Sequence, residues 1–176
     1  MSDMPQQPCH AEIQPNSASD AWREDAYHGT HLDNALRIRQ QGFIPHLGIA
    51  GTGCYFDLGD DASARSFALE RANGDAEQAV IIRAAIRLGT SLDFSFRRNA
   101  AVKQQFQQFQ TALQSRSDSM HGWTFNETKE QFLQTYYPHV TTVLYFNERT
   151  GLWYVAVRDP QHITILLMVT LSGRSL

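Results

Sequence analysis

The last third of the chain is written almost wholly in strand, and this limits what the rest can do. Residues 140–146, 152–158 and 163–171 are apolar runs of strand length, rich in β-branched and aromatic side chains. Between the first two lies Asn147-Glu148-Arg149-Thr150-Gly151, a turn composition in which Gly151 is free to take positive φ, so the pair reads as a hairpin. Such an ending commits the chain to an antiparallel sheet. A further strand is predicted over 79–88, ended by Gly89-Thr90, with Arg83 and Arg87 spaced to share a solvated face. Helical signals come earlier and between these strands. Residues 33–41 form a short amphipathic helix stopped by Gly42, with Thr30 or Asp33 to cap it. Asp60 and Asp61 open a second, ended at Gly74, whose Ala62, Ala64 and Ala68 permit close packing. Residues 97–114 carry Val102, Phe106, Phe109 and Leu113 on one stripe, and 126–137 form a last helix before Pro138. The order implies α+β rather than alternating α/β.

The 176 residues and 42% hydrophobic content suit one domain over 23–176, after a lead over 1–22 in which Pro5, Pro8 and Pro15 mix with polar residues. No apolar run approaches the roughly 20 residues that span a bilayer. Residues 1–20 lack the basic end and apolar core of a signal peptide, so a cytoplasmic site of action is expected, with delivery by a secretion system open. Fifteen Lys and Arg against eighteen Asp and Glu, a formal charge of -3, give no general field for holding nucleic acid. Arg97-Arg98 with Lys103 is a local basic candidate. Cys9 and Cys54 offer neither a disulfide framework nor metal spacing, and Cys54 reads as a small buried hydrophobe. His28, His31 and His46 do not align as metal ligands, so no metal is expected.

Two short stretches carry the chemistry. Tyr27-His28-Gly29-Thr30 places a polar ring at a strand end with a residue lacking Cβ just after it, which lets a ligand lie against the backbone. Gly51-Thr52-Gly53-Cys54-Tyr55-Phe56 repeats the arrangement with an aromatic ring, and lacks the Lys-Ser/Thr ending of a phosphate loop. In this order, with the Ala/Ser helix holding Ser63 and Phe67 and the later 79–89 and 154–163 stretches, the chain resembles the ADP-ribosyltransferase superfamily in its diphtheria-toxin and poly(ADP-ribose) polymerase branch.

That resemblance implies an ADP-ribosyltransferase-like split antiparallel β-sandwich with short helices, and NAD+ as co-substrate. It makes His28 the ring that bonds the hydroxyls of the ribose nearer adenine and Gly29 the backbone contact to the nicotinamide amide, with Thr30 and Gly53 beside them. Tyr55 would stack on the nicotinamide, Phe67 would provide the second ring where Ser66 replaces a frequent Tyr, and Ser63 would bond the amide. The family's Glu falls on Tyr154, which makes the triad His28, Tyr55 and Tyr154. A phenol cannot supply the charge that stabilises an oxocarbenium-like state, so Glu127, Glu130 and Glu148 are the acids to examine, and Arg158 could reach phosphates. The resemblance implies a mono-ADP-ribosyltransferase acting on a macromolecular acceptor, protein or nucleic acid, and suits a toxin or effector domain with a cognate immunity or inhibitor protein. The alternatives are a catalytically silent module binding NAD+ or ADP-ribose, and an RNA 2′-phosphotransferase.

Overall fold

A computed structural model describes residues 18–115 and 124–176, with side chains over 22–114 and 124–176. Residues 1–17 of the lead expected over 1–22, Cys9 included, and residues 116–123, which read from sequence as part of a loop over 115–123, lie outside the described residues. The elements run β1 (Ala18–His31), α1 (Leu32–Gln41), β2 (His46–Gly48), β3 (Gly51–Leu58), α2 (Ala62–Arg71), β4 (Ala79–Asp93), α3 (Ala100–Ser115), α4 (Phe125–Tyr136), β5 (Thr142–Asn147), β6 (Leu152–Val157) and β7 (Ile163–Thr170). The fold is α+β, as the strand-rich ending implies. β1 begins at Ala18, inside the stretch expected as lead, because it pairs with β4 from Ala18↔Thr90 to His31↔Ala79.

The strands form one mixed sheet in the order β1-β3-β6-β5-β4-β7, with β2 on β3 and β4 also paired to β1. Here two expectations change. The sheet is not wholly antiparallel, since β4 and β5 run parallel over Ser91–Asp93 and Thr142–Leu144. A parallel pair needs a long crossover, and α3 and α4 lie within it. Gly89 does not end its strand either. At φ +58 it carries β4 onward, and a Cβ there would meet Thr141 Oγ1 at 2.3 Å, so glycine is needed to pass that strand entry closely.

β4 is buried on both faces over most of its length, interrupted at the exposed Arg83 and half-buried Arg87, which explains why it is apolar apart from them up to Gly89. Val80, Ile82, Ala84, Ile86 and Leu88 face a core shared with Cys54, Phe56 and Leu58 of β3 and Val155 and Val157 of β6. Ala79 and Ile81 face Ala64, Ala68 and Ala72, the alanine stripe that lets α2 lie close. The aromatic stripe of α3 packs with Phe132 and Leu133 of α4 over Val143 and Ala156. The caps follow local chemistry. His31, rather than Thr30 or Asp33, caps α1 by accepting from Asp33 N–H at 3.2 Å, and Gly42 closes it at φ +79. Thr124 and Glu127 form a reciprocal capping box on α4.

Candidate functional site

The strand end of β1, the β2–β3 hairpin and the exposed side of α2 enclose a cleft of about 860 Å³. His28, Gly29, Thr30, Tyr55, Ser63, Phe67 and Tyr154 all line it. Gly53 does not: a Cβ there would meet Ala156 Cβ at 3.0 Å, so its bareness serves contact with β6. Gly29 is held for packing as well, because a Cβ on it would fall 1.9 Å from the Ala64 carbonyl oxygen. Its missing side chain is what brings α2 down onto β1. Gly48 is the glycine that serves the aromatic ring, since a Cβ there would overlap Tyr55 at 2.6 to 2.8 Å.

His28 is wedged edge-on to Phe43, with ring centroids 5.3 Å apart, and tilted against Phe56. Its Nδ1 lies 2.8 Å from the Tyr55 carbonyl oxygen. A carbonyl can only accept, so Nδ1 carries the proton. Burial pushes the imidazole pKa down, against the pull of the Tyr55 carbonyl, with His46 adding to the lowering. The ring is therefore neutral near pH 7, and its Nε2 keeps a lone pair that accepts a hydroxyl proton.

Tyr55 is fixed from its tip. Its hydroxyl donates to the Gly51 carbonyl and accepts from Ala50 N–H at 3.0 Å, and burial pushes its pKa up to about 12. The same turn is gripped from α4. Lys129, only 4% exposed, donates to the Ile49 carbonyl at 2.7 Å, and its pKa falls to about 8 on burial. Glu130 accepts from Thr52 N–H at 2.6 Å and pairs with both terminal nitrogens of Arg158 at 2.8 and 3.0 Å. Burial raises the Glu130 carboxyl, but Arg158 and Thr52 outweigh it and hold the group below its ordinary value.

α2 supplies the other wall. Phe67 is 44% exposed and not part of the core; the Arg71 guanidinium lies 4.7 Å from its ring centre. Ser63 Oγ and Tyr154 Oη are 2.8 Å apart, joining α2 to β6 across the cleft. Cys54 is buried, as expected, and burial pushes its thiol up to about 11.

The acids proposed to replace a glutamate at Tyr154 lie elsewhere. Glu127 caps α4, Glu130 is engaged with Arg158, and Glu148 pairs with Arg97. The pairing with Glu130 occupies Arg158, which does not line the cleft. Arg97 is used by Glu148, and Arg98 lies over Phe146 and Trp153, which leaves the proposed basic patch locally satisfied at both arginines. Sequence reasoning passed over Asp57. It is 6% exposed, lines the cleft and stands in register between Tyr27 of β1 and Tyr154 of β6. Burial drives its pKa up to about 7, against a hydrogen bond from Ala64 N–H, and Asp60 adds to the rise. Among the described residues no group of three or more His, Cys, Asp and Glu is arranged to hold a metal, and no helix is long and apolar enough to cross a membrane. Compared with models of protein families, with curated proteins and with solved structures, the chain matches none.

Proposed function

We propose that the cleft is an NAD+ site and that the protein is a mono-ADP-ribosyltransferase with a macromolecular acceptor. One observation carries the reading: segments far apart in sequence, 27–30, Tyr55, 63–67 and Tyr154, bring the residues expected of such a site to one cleft. Its volume falls within the range of cofactor pockets. On this reading the fold is a variant of the ADP-ribosyltransferase-like split β-sandwich, one whose strands join in a single mixed sheet through the β4–β5 and β1–β4 pairings.

The chemistry assigned to each side chain follows from its surroundings. His28, held neutral by burial with Nδ1–H committed to the Tyr55 carbonyl, offers Nε2 to a ribose hydroxyl. Tyr55, anchored at its hydroxyl, presents a ring that does not swing, and Phe67 supplies a second apolar face from α2. Fixing the ribose and leaving ring in this way lowers the entropy cost of reaching the transition state. Tyr154 and Ser63 add hydroxyls, suited to hydrogen bonding rather than to charge stabilisation. Single transfer, not polymer growth, is therefore proposed, and an effector acting in the cytoplasm suits it.

The test is incubation of the full chain with NAD+ and a cell lysate as a mixture of acceptors, reading nicotinamide release and ADP-ribose addition by mass spectrometry. Both are expected in the wild type, with a loss of about a hundredfold in His28→Ala. Absence of both with every lysate would sink the enzyme. The silent binding module is the second reading, favoured by the phenol at Tyr154 and its existing bond to Ser63. It predicts calorimetric binding of NAD+ without release.

A further inference from the structure

Breaking a glycosidic bond calls for a negative group beside the developing positive charge, yet Tyr154 and Ser63 offer only neutral hydroxyls, and Glu70, which also lines the cleft, is exposed near the end of α2. The fold puts one on the neighbouring strand. Asp57 lies directly opposite Tyr154 in the β3–β6 register and directly opposite Tyr27 in the β1–β3 register. Opposite residues of antiparallel neighbours share a face, with Cβ atoms roughly 5 Å apart. Tyr27, Asp57 and Tyr154 thus form one row across three strands, and all three line the cleft. The start of α2 lies over that row: Ser63 bonds Tyr154, and Ala64 N–H donates to the Asp57 carboxyl.

The geometry points to Asp57 as the catalytic carboxylate of the cleft, placed across the strand pair from the position where the resemblance leads one to expect a glutamate. This rests on the NAD+ reading. In the step, the bond between the nicotinamide nitrogen and the ribose carbon breaks, and its electron pair leaves with neutral nicotinamide. The acceptor's lone pair forms the new bond to that carbon, and the proton it sheds passes to the Asp57 carboxylate and then to water. Charge balances: the positive charge of the nicotinamide ring leaves as that proton.

A merely structural role is the competing account, because Asp61 at the start of α2 makes no side-chain capping bond and Asp57 serves Ala64 N–H in its place. What surrounds Asp57 argues for more than a cap. Tyr27 faces it from β1, Tyr154 from β6, Ser63 from α2 and Asp60 from the following turn, while Arg65 of α2 is paired to Asp61. No cationic side chain pairs with it among the described residues. An amide would cap Ala64 equally well without the cost of burying an acid that has no cationic partner.

Asp57→Asn separates the two roles, since the amide keeps an oxygen for Ala64 N–H and loses the charge. The full chain is assayed for nicotinamide release from NAD+ with cell lysate, alongside calorimetric NAD+ binding and a circular-dichroism melt to confirm folding. The expected result is a drop in kcat of about a hundredfold in Asp57→Asn, with binding changed less than about threefold and partial recovery in Asp57→Glu. The wild-type rate should also climb as pH rises through about 7, a step that Asp57→Asn flattens. His28 does not confound this window, because its pKa is lowered away from it. Turnover retained in a folded Asp57→Asn overturns the assignment and leaves the NAD+ reading standing. A wild type that neither binds NAD+ nor releases nicotinamide overturns both.

Discussion

At the scale of single residues, Asp57 carries a consequence for stability that is separate from catalysis. An aspartate with its usual value of 3.8 in the unfolded chain and about 7 in the fold binds more protons folded than unfolded between those limits. Stability from this group is therefore full below about pH 4 and is lost as pH rises to about 7, the reverse of an ion-paired aspartate. Asp57→Asn should melt close to the wild type at pH 4 and clearly above it at pH 8, the gap opening between. A melting difference independent of pH would contradict the burial argument. His28 and Tyr55 could be singled out as candidates from sequence because each sits in a short local pattern with its glycines. Asp57 could not. Its neighbours Tyr27 and Tyr154 meet it through strand register alone, and nothing in Phe56-Asp57-Leu58 distinguishes a cleft carboxyl from a polar strand residue.

At the scale of elements, the working parts are held from behind. α4 grips the turn between β2 and β3 at both ends, through Lys129 on Ile49 and Glu130 on Thr52, and that turn in turn holds the Tyr55 hydroxyl. Glu130→Gln strips the charge from a pair with Arg158 that is largely shielded, side chains 14% and 21% exposed. It should cost about 2 kcal/mol by urea denaturation, between the values for exposed and buried pairs, and weaken NAD+ binding about tenfold as the turn loosens, roughly 1.4 kcal/mol. Thr124→Ala, which removes the cap of the same helix, should cost about 1 kcal/mol and leave binding unchanged. Equal effects on binding would show that α4 matters only as packing. β2 was not legible, since 43–50 reads as an irregular loop and three residues are too few to show a strand period, but most element types were readable from periodicity and glycine stops, from α1 to the β5–β6 hairpin. Their partners were not: the parallel β4–β5 pair and the passage of β4 through Gly89 depend on what lies beside the strand, and Gly89 looks the same in sequence whether it ends or bends one.

At the scale of the whole molecule, β4 ties the architecture together. It packs α2 on one face and the central core on the other, so the cleft sits on a sheet buried from both sides. Gly29 then allows α2 to settle onto β1, which brings Ser63 to Tyr154 and Ala64 to Asp57. The cleft is thus a product of the packing of α2 as much as of its lining residues. Its most direct test is a crystal structure of the full chain with a non-hydrolysable NAD+ analogue. The account predicts the nicotinamide ring between Tyr55 and Phe67, a hydroxyl of the adenine-side ribose on His28 Nε2, and the Asp57 carboxylate on the face of the nicotinamide ribose where the acceptor arrives. An analogue bound outside this cleft, or one whose adenine-side ribose makes no contact with His28, would contradict it.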